Sequence, residues 1–305
     1  MHNFSTLLPF LFLLLFTACS RPATPPPEHT LPRECGVYDM KQAACIPEEE
    51  LVRRLAPYRV VFVGDHHASE TMHGALARLL ASLGGHGRHV MLANEWFTPG
   101  DDAVLAHYVR GSFDGNFTDA VGWKTRVGYP FASYEPIYLG VKSAGGMLYG
   151  INMDDTFRKA VSENNLTALS DPQRRFYEGL DINLTAHRAL LTPFFSHCHA
   201  KREGEDDRAC FQRMYRVQVA WDTYMAQQSA DLASKVLTDG RDLLVVFAGA
   251  LHLAYGVGIN ARFARVSREP FVTILPVTDG TEHADVGEAD YLLFYPPGKP
   301  QKEPQ

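Results

Sequence analysis

Short apolar runs recur along the chain, and stretches of helical periodicity lie between them. "RVVFVG" (59–64), "HVMLANEW" (89–96), "GGMLYGIN" (145–152), "DLLVVFAGA" (242–250) and "FVTILPV" (271–277) all have strand length. "YLLFY" (291–295) reads as a last edge strand. Between the first two runs, "TMHGALARLLASL" (71–83) sets Leu76, Leu79, Leu80 and Leu83 on one helical face. Strands that are apolar on both faces need cover on both sides. This alternation therefore predicts an α/β fold, a mainly parallel sheet covered by helices.

The middle of the chain breaks the rhythm. Residues 155–240 read as nearly all helix, with apolar positions at helical spacing from Phe211 to Leu237. They form a helical insertion between the third and fourth strands. With 46% hydrophobic residues in 305, there is ample material for a core. Residues 51–305 are expected to form a single α/β domain that includes the insertion.

In an open parallel sheet, ligands bind beyond the carboxyl ends of the strands. The first run ends in Asp65, His66 and His67, and the second in Asn94 and Glu95. The third is followed by Asn152, Asp154 and Asp155, and the fourth by His252. Asp and Asn cap helices and close turns routinely, and Asp154 and Asp155 fit that role. A lone histidine is more often structural than a ligand. Four coincident endings on one sheet edge point instead to a cleft holding Asp65, His67, Glu95 and His252, with His66 and His73 nearby. His73 lies in the first helix, where it either turns back toward the cleft or packs.

Two chemistries suit this set. His67, Glu95 and His252 could ligate zinc, manganese or iron and, with Asp65, activate a water as a metal-dependent peptidase or esterase does. Alternatively, the histidines and nearby tyrosines could form a haem pocket, since tyrosinate ligates ferric haem. No CxxCH is present, which excludes covalent c-type haem on motif grounds. A third reading is a degenerate cleft on an interaction module.

The amino terminus carries a different message. "LLPFLFLLLFTAC" is too short to span a bilayer comfortably and reads as the apolar part of a signal peptide, residues 1–18. "FTAC" resembles a bacterial lipobox, which makes Cys19 a lipidation site. A proline-rich tether, "SRPATPPPEHTLPR", follows, and residues 19–50 are assigned to lipidated cysteine and tether. Ser20 favours the outer membrane by sorting convention, with the domain in the periplasm. Such a compartment permits disulfides. Of three possible pairings, the local one is simplest: Cys35 with Cys45 and Cys198 with Cys210, each worth roughly 3 kcal/mol in the chain-entropy model. "HCH" at 197–199 is a weaker metal cluster. The net charge of −6 argues against a nucleic-acid partner.

Taken together, "VVFVGDHHASETMH", "NEWF", "YEPIY", "AWDTYMA" and "AGALHLAYGVGINARF" resemble the ChaN-like haem-binding uptake lipoproteins over roughly residues 55–275. The resemblance implies haem b bound without covalent attachment, tyrosine ligation and a homodimer with stacked haems. It also implies a lipid anchor in the membrane and a role with haem-uptake machinery in iron acquisition. The wider superfamily includes TIKI-type metalloproteases and erythromycin esterases, whose G-E-x-H motif, later glutamate and late histidine fall here on Gly64, His67, Glu95 and His252. Asp65 replaces the motif's glutamate. A catalytic carboxylate displaced by about 1 Å loses on the order of a hundredfold in rate, so the change favours binding over hydrolysis. The ligating tyrosine is sought among Tyr255, Tyr134, Tyr129 and Tyr138. Arg262, or less favourably Lys142, could pair with a propionate; the alternative for Arg262 is a surface salt bridge.

Overall fold

The structure, a computed structural model, describes residues 27–195, 198 and 201–298. The signal peptide, Cys19 and the histidines of "HCH" lie outside the described residues. In chain order the elements are β1 (Glu28–Thr30), β2 (Val37–Asp39), β3 (Ala44–Ile46), α1 (Glu48–Arg54), β4 (Val60–Asp65), α2 (Glu70–Gly85) and β5 (His89–Asn94). Four helices follow, α3 (Asp102–Arg110), α4 (Phe117–Ala120), α5 (Trp123–Arg126) and α6 (Phe131–Ser143), and then β6 (Met147–Gly150). The insertion contributes α7 (Asp155–Glu163), α8 (Asp171–Glu178), α9 (Thr185–Phe195) and α10 (Asp207–Val236). The chain closes with β7 (Asp242–Gly249), α11 (Ile259–Val266), β8 (Phe271–Thr278), β9 (His283–Asp285) and β10 (Tyr291–Tyr295).

Eight strands form one sheet in the order β3-β2-β10-β8-β4-β7-β5-β6. Every pairing from β10 to β6 is parallel, while β2 and β3 add on antiparallel. The six apolar runs are thus the six parallel strands, and the helical insertion lies between β6 and β7. The region assigned to the tether differs from expectation. Val37 and Tyr38 of β2 are buried, and β2 pairs with β10 across more than 250 residues of chain. β2 and β3 form a local antiparallel pair, and only the pairing with β10 docks it onto the sheet. Two disulfides, Cys35–Cys45 and Cys198–Cys210, follow the local pairing.

β4 and β7 sit at the centre and are buried along their whole length. The period of two sends Val61 and Val63 to one face, where they pack with Leu76, Leu79 and Leu80 of α2. Val60 and Phe62 point to the other, against Met225 of α10 and Phe263 of α11. On the first face α2 and α6 touch closely. A Cβ at Gly140 would lie 2.9 Å from the Ala77 carbonyl oxygen, so only glycine allows this approach. That contact brings α6, with Ser133 and Tyr134, under the end of β4.

Candidate functional site

Because β7 lies between β4 and β5, the three carboxyl ends converge. After β4 the chain turns sharply, with Ala68 at φ 59°, and Ser69 then caps α2 by accepting from the Met72 amide. This turn leaves His66 and His67 on the rim and holds Asp65 beneath them. Asp65 bridges two imidazoles: Oδ2 lies 2.8 Å from His67 Nδ1, and Oδ1 lies 2.8 Å from His73 Nε2. His73 Nδ1 donates to the Ser133 carbonyl at 2.6 Å. Tyr134 donates to Asp65 at 3.3 Å and accepts from the Ala68 amide at 3.0 Å.

Glu95 is the central acid. Its Oε1 accepts from the Gly249 amide at 2.9 Å, and its backbone carbonyl accepts from Asn152 Nδ2 at 2.9 Å. Oε1 is 4.0 Å from His67 Nδ1, and Oε2 is 3.7 Å from His252 Nε2. His252 is held from behind: Nδ1 meets Asp222 Oδ1 at 2.5 Å, beside the Gln218 amide at 2.8 Å. Asp222 also lies 2.9 Å from His187 Nε2 and 3.7 Å from the Arg262 guanidinium. Two carboxylate–histidine pairs, Asp65–His67 and Asp222–His252, therefore flank Glu95.

The local electrostatics follow from burial and these partners. Burial opposes ionisation of Asp65, but the hydrogen bonds from His67 and His73 hold its carboxyl below the usual range. Asp222 experiences the same competition; His252 and His187 win, and its carboxyl is lowered to about 2. Glu95 goes the other way, because burial outweighs the attraction of His252 and His67. Burial lowers His67 and His252, yet both end raised, by Asp65 with Glu95 and by Asp222 with Glu95 respectively. Burial lowers His66, which is bonded to the Tyr295 hydroxyl.

Above this floor opens a cleft of about 1630 Å³. The insertion supplies its roof, with Leu190, Pro193, Phe194 and Phe195 from α9 and Met214 and Trp221 from α10. Leu275 and Pro276 of β8, Leu251 and Tyr255 complete the apolar walls. Phe194 remains 60% exposed, an apolar ring turned to solvent at the mouth. Trp96 and Tyr129 pack on His67, with ring centroids 4.9 and 5.5 Å away.

The structure gathers Asp65, His67, Glu95 and His252, and it separates the other candidates. Tyr255 lines the cleft, in a left-handed backbone conformation at φ 57°, and donates to Asp285 Oδ2 at 2.5 Å. Tyr129 lies at the cleft edge. Tyr134 is fully buried below the floor, and Tyr138 is buried against Asn94 Nδ2 at 2.9 Å. Both therefore support the floor rather than face the cleft. Arg262 does not reach the cleft as a propionate partner would; it is buried, donating to the Val257 and Gly258 carbonyls and to Thr223 Oγ1. Lys142 lies beside Gly111, apart from the cleft lining. Asp154 caps α7, and Asp155 pairs with Arg158. Asp222, His187 and Gln218 were not anticipated. The sequence does carry a signal for Asp222, an acid within the apolar helical stretch "VQVAWDTYMA".

These features define a class: an α/β protein with an apolar cleft at the carboxyl edge of a parallel sheet, floored by carboxylate–histidine pairs and roofed by an inserted helical segment. Within that class, the chain belongs to the family described as haem-binding uptake, Tiki superfamily, ChaN, whose model matches residues 51–263. Its fold is similar to that in a structure of cofacial heme binding to ChaN of Campylobacter jejuni. The two share 17% identity and a TM-score of 0.61 over 85% of this chain and 96% of that one. More distant similarities include the type III effector HopBA1, at 16% identity over 83% and 94% of the chains with a TM-score of 0.46. Erythromycin esterase EreC in its open conformation matches at 12% identity over 91% and 85%, with a TM-score of 0.44. The chain has no significant match among curated proteins.

Proposed function

We propose that this protein binds haem b non-covalently in the cleft and serves haem uptake at the bacterial envelope. The observation that carries the reading is a wide, apolar cleft with titratable donors facing into it. Drug-sized ligands occupy roughly 300–1,000 Å³, so the volume of about 1630 Å³ accepts a large planar molecule. Family membership supports haem as that molecule. The donor set fits, since the Tyr255 phenol and the imidazoles of His66, His67 and His252 all line the cleft. Haem, when bound, would supply an iron for the Tyr255 phenol or a cleft imidazole to ligate. The chain's own part is to exclude water with the α9 and α10 walls and to orient His67 and His252 through Asp65 and Asp222. Lipid anchoring at Cys19, an outer-membrane location facing the periplasm, transfer to uptake machinery and a haem-linked homodimer belong to the same proposal. Titration with hemin tests it. A Soret band saturating at a defined ratio is expected, with a larger species in sedimentation when hemin is present. No saturable Soret change would remove the reading.

One observation favours a second reading. One ligand atom each from Asp65, His67 and Glu95 lies within 4.8 Å of the others. That set suits zinc or manganese and a metal-dependent hydrolase of peptides or esters. Stoichiometric metal in protein prepared without chelator, lost in His67→Ala, is what this reading requires. Metal-free protein would discard it.

A further inference from the structure

The charge of one cleft rim is set against what haem carries. Haem presents two carboxylates on an otherwise apolar disc. Yet among the described residues lining the cleft there is no lysine or arginine. The acids are there instead. Asp285, the last residue of β9, and Glu288, in the turn that follows, stand together at one rim, and Asp65 and Glu95 lie in or under the floor. Among the described residues neither Asp285 nor Glu288 meets a cation: Asp285 accepts from the Tyr255 hydroxyl, and burial pushes Glu288 upward, opposed by a backbone hydrogen bond with Asp285 and helped by the Asp285 charge. Arg262, the nearest basic residue along the sequence after Tyr255, is turned inward to Asp222 and two backbone carbonyls.

Two anions entering such a site are repelled wherever they approach the Asp285–Glu288 rim, and water screens that repulsion poorly between low-dielectric walls. We propose that the cleft recognises the tetrapyrrole by its apolar macrocycle and not by its carboxylates, and that Asp285 and Glu288 fix its orientation by repulsion. The propionates point away from this rim into solvent, and the vinyl-bearing edge lies against it. The rim thus makes porphyrins with masked carboxylates at least as good ligands as haem. This rests on the haem-binding reading of the cleft and adds a specificity rule to it.

The experiment compares hemin with hemin dimethyl ester, each titrated in the same mild detergent against the full chain and against Glu288→Gln and Asp285→Asn. The wild type is expected to bind the ester as tightly as the free acid or more tightly. Each substitution is expected to shift the affinity ratio toward the free acid, by up to about tenfold for one removed charge in a partly screened site. Because Asp285 also holds Tyr255, the Glu288→Gln ratio is the cleaner reading. A free acid that binds wild type tenfold more tightly than the ester would overturn the proposal while leaving haem binding intact. A ratio unmoved in both variants would do the same. If neither compound gives a saturable Soret change, the haem reading fails and this proposal fails with it.

Discussion

Asp222, in the middle of α10, contacts Nδ1 of His252, in the turn after β7, at 2.5 Å; His252 lines the cleft and Asp222 is buried behind it. The carboxylate also lies 2.9 Å from His187 Nε2 and 3.7 Å from Arg262, so one acid neighbours three basic side chains from three elements. Nδ1 is occupied, and Nε2 faces Glu95. This is the arrangement that commits His252 to the cleft.

Removing Asp222 leaves buried positive groups without their counter-charge. Asp222→Ala is expected to destabilise the fold by about 3–5 kcal/mol, as breaking a buried pair usually does. Urea denaturation measures this directly. A loss below about 1 kcal/mol would mean the network contributes little.

The same network sets a pH dependence. Asp222 is depressed to about 2 from its ordinary 3.8, so its contribution is complete above 3.8 and is lost as pH falls toward 2. His252 is raised from 6.5, so its contribution is complete below 6.5 and is lost as pH rises through the raised value. The stability difference between wild type and Asp222→Asn is therefore expected to be largest between 3.8 and 6.5 and to narrow on both sides. Denaturation at about pH 3, 5 and 9 checks the shape. A difference that is flat across these three points contradicts it.

Two of the candidate tyrosines should separate cleanly. Tyr255→Phe removes a phenol that faces the cleft, and it is expected to change the hemin spectrum. Tyr134→Phe leaves the Ala68 amide without its acceptor and is expected to cost about 1–3 kcal/mol with an unchanged spectrum. Parallel spectra and unfolding curves give both numbers. The opposite pairing of effects would reverse the assignment.

Gly258 is held to its size by His252. A Cβ there would collide with the His252 carbonyl and come 3.4 Å from Asp222 Oδ2. Gly258→Ala is expected to cost about 1–3 kcal/mol and weaken hemin binding, because His252 must move. An unaltered melting temperature and affinity together would show that the turn relaxes freely.

Cys19 is the proposed anchor. Cells making wild type are expected to incorporate labelled palmitate into the protein and carry it in the membrane fraction. Cys19→Ala should abolish both. Palmitate incorporation that persists in the variant rules out Cys19 as the site.

The sheet, its six parallel strands and the helical insertion were legible in the sequence, because burial on one or both faces writes a local period into the chain. So was the set Asp65, His67, Glu95 and His252, because parallel strands deliver their following residues to one edge. The partners of that set were not. Asp222 meets His252 across 30 residues, and His187 comes from another helix of the insertion. No local pattern encodes such a contact. The β2–β3 pair joins the sheet in the same way, through distant β10, and Arg262 faces inward only because α11 packs against α10. Local periodicity determined which residues line up along each element. The order of strands and the packing of helices decided which of them meet, because a long-range contact depends on how distant segments are placed and not on the residues beside it in the chain.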